Sequence, residues 1–214
     1  MPNKRELTAK VFRDAFVASY ERVRNSFTKE RWNEMWHRWN DLMLLRPDEG
    51  SLLPREIKAS VLAGVAGELG LCYPSEYRNR QPMTLDAAFS DHADNQDRFP
   101  IKVAIEHEND WTGFESEIKK LLSVRCPLKV GITYSDDSPK GREYRQTIAG
   151  NIQEDFEEIR LVIGEAPAAE YLFLVGAESD DNEISCWYSL DFRAENGPRD
   201  QSFRPVGKAK RTAA

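Results

Sequence analysis

The segments 83–89 and 101–108 alternate apolar with small or polar residues, a period of two that belongs to strands and not to helices. Glu106 and Glu108 therefore share one strand face, with His107 on the other. The intervening stretch 90–100 is polar and lacks helical periodicity, so the chain is expected to fold back near Gln96 as a hairpin that sets Asp86 opposite Glu106. Like charges facing one another across a strand pair repel, so three carboxylates gathered in this way call for a cation. Hard oxygen donors of this type suit Mg²⁺, Mn²⁺ or Ca²⁺ better than zinc. A plainer reading stays open, in which Glu106 and Glu108 form the solvated face of a half-exposed strand and Ile105 and His107 turn inward. In both readings His107 is a hydrogen-bonded histidine of the core or an interface.

The chain has 214 residues, 40% hydrophobic and 31% charged, which is enough for a well-packed core and shows no bias toward disorder. No apolar run approaches the roughly 18 residues of a membrane span, and the first residues lead into a charged amphipathic segment, so a soluble cytoplasmic protein is expected. Cys72, Cys126 and Cys186 lie far apart and form no Cys-x-x-Cys pair, which points to buried thiols and away from a zinc site or disulfide framework. A net charge of −6 excludes a protein coated in basic surface, but it leaves room for a local basic rim beside an acidic cleft.

Three helical stretches precede the alternating runs. Residues 5–24 carry Leu7, Val11, Phe12, Phe16, Tyr20 and Val23 at helical spacing, and 29–44 carry Trp32, Met35, Trp36, Trp39, Leu42 and Met43, with Thr28 as a cap. The tryptophan stripe reads as packing against the first helix. Pro54 is expected to open a third helix that runs to Leu69 and ends at Gly70. Glu68 on this helix turns toward the apolar side, where it needs a metal or a partner, unless it sits at the margin near solvent or an arginine. Between that helix and the Asp86 strand, Tyr73, Tyr77, Arg78 and Arg80 interleave aromatic and basic groups, a weak signature for holding a phosphate backbone and stacking a base.

After the hairpin the pattern predicts a helix over 113–124, a buried strand over 128–134, a long helix over 140–162, and strands over 170–176 and 183–190. Strand, helix, strand in this order is a crossover unit with parallel strands. The expected class is α/β (α+β), a mixed sheet flanked by helices. Residues 1–50 form an N-terminal helical extension, 51–194 the α/β core, and 195–214 a loose basic tail.

An Asp on one strand, Glu-x-Glu on the next, then a helix and a hydrophobic strand resembles the PD-(D/E)xK nuclease superfamily, the restriction-endonuclease-like fold. The resemblance covers about residues 55–134 and rests on Leu85-Asp86, Ile105-Glu106-His107-Glu108, the helix with Glu117 and Lys120, and the strand 128–134. Glu68 stands where several members carry a helical acid. The superfamily usually has Lys two residues after the Glu, whereas this chain has Glu108, and Lys119 or Lys120 is placed to supply the displaced cation. The resemblance implies a Mg²⁺-dependent endonuclease, with Mn²⁺ as a substitute, that cleaves DNA and dimerises for double-strand cutting. Its implied metal ligands are Glu68, Asp86, Glu106 and Glu108, and its catalytic group is Asp86, Glu106, Glu108 and Lys120. Lys119, Tyr73, Tyr77, Arg78 and Arg80 would contact nucleic acid.

The chemistry agrees with those residue types. A phosphodiester is shielded by its own charge, so hydrolysis needs divalent metal to screen it and acidify water, a carboxylate to accept a proton, and a lysine to stabilise the transition state. The competing class is a binding or regulatory protein of inhibitor or immunity type, which keeps the fold without turnover and pairs with another protein.

Overall fold

The computed structural model describes residues 6–73, 85–91, 101–109, 113–163, 169–198 and 202–208. It divides into two compact units, Met1–Ala104 and Ile105–Ala214.

The first unit is mainly helical. Helix α1 (Ala9–Arg24) starts where the Thr8 hydroxyl accepts from Val11 N at 3.2 Å, and it buries Phe12, Phe16, Tyr20 and Val23. The stretch expected as one helix over 29–44 is α2 (Lys29–Met35), a 3-10 turn (Trp36–Arg38) and α3 (Trp39–Leu44). Residues three apart eclipse in a 3-10 turn. That geometry brings Trp36 and Trp39 to 4.9 Å between ring centroids, while Tyr20 meets Trp32 and Trp39 edge-on at 6.4 and 6.1 Å. The tryptophans are packing, as the sequence suggests.

The third helix, α4 (Val61–Leu69), begins later than Pro54. The Ser60 hydroxyl accepts from Ala63 N at 3.2 Å and donates to Leu45 O at 2.5 Å, so the start of the helix is set by this cap. Gly70 ends it at φ 64°, the left-handed conformation that favours glycine. Helix α4 approaches α1 closely at Gly64, where a Cβ would overlap Ser19 Oγ. Strand β1 (Ala87–Phe89) follows, and Lys102 N donates to Phe89 O at 2.8 Å just before β2 (Val103–His107) begins.

The second unit takes up β2 and continues with α5 (Phe114–Ser123), β3 (Leu128–Asp136), α6 (Pro139–Ile163), β4 (Glu170–Ser179), β5 (Glu183–Arg193) and β6 (Arg204–Lys208). Hydrogen-bonded neighbours follow chain order, with β3 and β4 parallel across α6 and the pairs β4–β5 and β5–β6 antiparallel. The sheet is therefore mixed. Registered residues share a face, giving the rows Lys129–Tyr171–Phe192, Gly131–Phe173–Leu190, Thr133–Val175–Tyr188 and Ser135–Ala177–Cys186. Helices α5 and α6 cover this face, with Phe114 edge-on to Phe173 at 6.4 Å and Phe156 edge-on to Tyr171 and Phe192 at 5.5 and 5.3 Å. Gly131 is needed there, since a Cβ would come within 2.8 Å of the Phe173 ring. Part of the expected loose tail is ordered as β6, an edge strand on β5. Among the described residues no helix is long and apolar enough to cross a membrane.

Candidate active site

In the second unit, Glu106 sits on β2 with 0% exposure, and the ammonium of Lys120 reaches it from α5 at 2.9 Å from Oε1. Helix α5 is amphipathic, burying Phe114, Ile118, Leu121 and Leu122, which fixes Lys120 at the edge of the apolar stripe. Lys120 also lies 2.5 Å from Glu117 Oε2, one turn back on its own helix. Burial works against the charge of Lys120, but the carboxylates of Glu117 and Glu106 outweigh it and hold the ammonium above its ordinary pKa. Its side chain stays one-quarter exposed.

The neighbouring lysine repeats the arrangement. Lys119 lies 3.2 Å from Glu115 Oε1 and 3.4 Å from Oδ1 of the buried Asp155 on α6. Both carboxylates hold its pKa up, and burial pushes the Asp155 carboxyl up against the pull of Lys119.

Glu108 follows the last residue of β2 and is half-buried, with its backbone N donating to Ile132 O at 2.9 Å. His107 is buried, its Nε2 2.7 Å from the Tyr134 hydroxyl, and burial pushes its pKa down to about 4. A buried, hydrogen-bonded imidazole is the role expected of it from the sequence.

In the first unit, Asp86 is half-buried in the bend just before β1, one residue short of the strand it was expected to occupy. Glu68 is ion-paired with Arg22 of α1, and both side chains are partly exposed. This is the helix-margin arrangement weighed for it above. Tyr73 is buried, donating from its hydroxyl to Leu44 O at 2.7 Å and meeting Phe89 edge-on at 5.2 Å, so its ring is occupied by packing. Tyr77, Arg78 and Arg80 lie outside the described residues, as does most of the turn expected near Gln96.

Among the described residues, no group of three or more His, Cys, Asp or Glu side chains stands where it could hold a metal ion. The contact that does form within the second unit is the strand carboxylate with the helix lysine. Carboxylate oxygens such as those of Asp86, Glu106 and Glu108 are hard donors of the class that Mg²⁺ takes, but among the described residues they do not form a group of three.

Sequence reasoning missed three polar residues buried between the sheet and the helices that cover it. Lys129 is 2% exposed, and its ammonium donates to Leu122 O and the Tyr171 hydroxyl at 3.0 Å each. Burial pushes its pKa down to about 8. Thr133 is wholly buried, and Arg145 of α6 is buried over Tyr188. The available signal was Lys129 itself, a charge inside the apolar run 128–134. Set against known proteins, the chain matches no family model, no curated protein and no solved structure.

Proposed function

We propose that the chain is a metal-dependent nuclease that hydrolyses DNA phosphodiester bonds in the cytoplasm, on a restriction-endonuclease-like version of its mixed sheet. The observation that carries this reading is the pair formed by Glu106, a carboxylate with no exposure on a strand, and Lys120 from the next helix. Replacing a buried ion pair by packed apolar residues is often neutral or stabilising, so stability alone gives little reason to keep one. Phosphodiester hydrolysis gives a reason, because it uses both groups at one place.

Mg²⁺, with Mn²⁺ as a substitute, would screen the phosphate and acidify the attacking water, and Asp86, Glu106 and Glu108 supply the carboxylate chemistry it takes, although the described residues hold no ready-made group of three acids for it. Lys120 supplies a positive charge that its two carboxylate partners keep protonated at neutral pH, suited to stabilising an oxyanion. Glu108, half-buried with its backbone bonded to β3, would take the proton of the attacking water. Where both strands of a duplex are cut from one site per chain, two copies are the usual arrangement, and for that case a homodimer is the proposed active form.

A second reading has its own support. Lys120 already neutralises Glu106 and Arg22 already neutralises Glu68, as befits a nuclease-like fold that binds or regulates a partner without turnover. Supercoiled plasmid incubated with Mg²⁺ or Mn²⁺ separates the two. The nuclease reading expects nicking by the wild type and none by Asp86→Ala or Glu106→Ala. Equal residual cleavage in the variants would remove it, and a wild type that binds DNA without cutting would favour the second reading.

A further inference from the structure

We infer that Arg145 forms a phosphate subsite at the carboxyl end of β3, which holds a backbone phosphate of the nucleic acid beside the scissile one. This rests on the nuclease reading. Arg145 lies on α6 with 7% exposure, entirely within the second unit. Its Nη1 donates to Ser135 Oγ at 2.7 Å and to Asp136 O at 3.4 Å, and the guanidinium carbon stands 4.2 Å from the centroid of the Tyr188 ring.

Buried charges are normally matched by an opposite charge. Among the described residues Arg145 makes no ion pair, and its Nε and Nη2 have no protein acceptor. Of the nearby acids, Asp136 is held low mainly by its hydrogen bonds from Ser138 and Gly141 and in smaller part by the charge of Arg145, with which it forms no ion pair. Asp136 Oδ1 accepts from Ser138 N at 2.9 Å and Gly141 N at 3.0 Å, capping α6, while Asp137 Oδ2 accepts from Ser185 Oγ at 2.6 Å. Of the other titratable groups at this end of the sheet, Glu178 on β4 and Cys186 on β5 are both pushed toward their neutral forms by burial.

The hydroxyl of Ser135 fixes one nitrogen and the Tyr188 ring fixes the plane, so the fork is held with its Nε–Nη2 edge unused. That edge is the one that binds a phosphate through two parallel bonds, which a lysine cannot do. Beneath it runs the row of small side chains Ser135–Ala177–Cys186. One row back on the same face, the Thr133 hydroxyl is wholly buried without a hydrogen-bond partner. The location is independent support, because open α/β sheets bind ligands at the carboxyl ends of their parallel strands, and β3 and β4 are such a pair. Glu108 is hydrogen-bonded at Ile132, three positions before Ser135, which is about 10 Å along a strand.

Binding of a fluorescein-labelled DNA duplex to the full chain in EDTA, followed by anisotropy over a salt series, tests the assignment. Arg145→Gln is expected to weaken binding about tenfold and to lower the slope of log K against log salt by about one. Ser135→Ala keeps the charge but frees the fork, so it should weaken binding by a smaller factor in a chain that still melts cooperatively, at a somewhat lower temperature because a buried bond is lost, which covers the case of an Arg145 variant that does not fold. Wild-type affinity and salt slope in Ser135→Ala, together with either the same in a folded Arg145→Gln or its failure to fold, would overturn the inference. If the wild type nicks plasmid under Mg²⁺ while those bindings are unchanged, the subsite alone falls. A wild type that neither binds nor nicks DNA removes the nuclease reading and the subsite with it.

Discussion

Lys120 Nζ lies 2.9 Å from Glu106 Oε1 on β2 and 2.5 Å from Glu117 Oε2 on its own helix, so one ammonium serves a wholly buried carboxylate and a flanking one. Removing a single member of such a pair leaves an uncompensated charge. Lys120→Met is therefore expected to destabilise the fold by about 2–4 kcal/mol, the lower part of the range for broken buried pairs because the lysine is one-quarter exposed. Adding Glu106→Leu should recover most of the loss. Urea denaturation of the two single variants and the double variant measures this, and independent, additive losses would show that the pair is not coupled.

Lys129 makes the stability of the second unit depend on pH. Its folded pKa, about 8, lies below the ordinary lysine value of 10.5, so between those values the unfolded chain binds the extra proton. Stability contributed by this group therefore rises as pH increases from about 8 toward 10.5 and is flat below that window. Tyr171, pushed by burial to about 12 from 10.0, has the opposite sign and acts above pH 10. Urea midpoints taken below about pH 10 keep the tyrosine out of the comparison. The wild type should gain on Lys129→Met as pH rises through this window, and parallel curves for the two proteins would count against a buried, readily deprotonated lysine.

Gly64 marks a steric limit in the first unit. A Cβ there would overlap Ser19 Oγ, and Ser19 is held in place because its hydroxyl donates to Val61 O at 2.8 Å. Gly64→Ala gains helix propensity of nearly 1 kcal/mol but forces α1 and α4 apart, so a net loss of about 1–3 kcal/mol is expected. Gly67, on the same helix with nothing within 4 Å of its Cβ position, is the control, and Gly67→Ala should stabilise. Thermal melts of the pair give the answer through the sign of each shift.

Periodicity made the strands and the long helix of the second unit readable. The strand expected over 128–134 is Leu128–Asp136, and the helix expected over 140–162 is Pro139–Ile163. Three features escaped for separate reasons. The 3-10 break at Trp36, which sets the contact of Trp36 with Trp39, has no local pattern that encodes it. Strand β6 is hidden by proline and charge, the residues that keep an edge strand from pairing further. Lys129 alternates like a solvent-facing residue, yet both faces of β3 are covered.

The site divides in the same way. The resemblance offered Lys119 or Lys120 as the displaced cation, and it is Lys120 that meets Glu106. Arg145 could not be nominated, because Ser135, Asp136 and Tyr188 come to it only through the β3–β4–β5 register.

Glu108 offers the sharpest separation of chemistry from folding. It is half-buried beyond the end of β2, and the bond that seats it there, to Ile132 O at 2.9 Å, comes from its backbone. Glu108→Gln keeps that bond and the side-chain volume, so stability should change by less than about 1 kcal/mol, as for partly exposed substitutions generally. If the carboxylate accepts the proton of the attacking water, plasmid nicking in Mg²⁺ should fall by about 10²- to 10⁴-fold. Calorimetric titration with Mn²⁺ then assigns the role. Affinity like that of the wild type at a collapsed nicking rate identifies a general base, because an amide cannot take the proton. Parallel loss of affinity and rate identifies a ligand, because a neutral amide oxygen holds a divalent ion less tightly than a carboxylate does. Nicking at the wild-type rate would take Glu108 out of the chemistry and leave Glu106 and Lys120 as its centre.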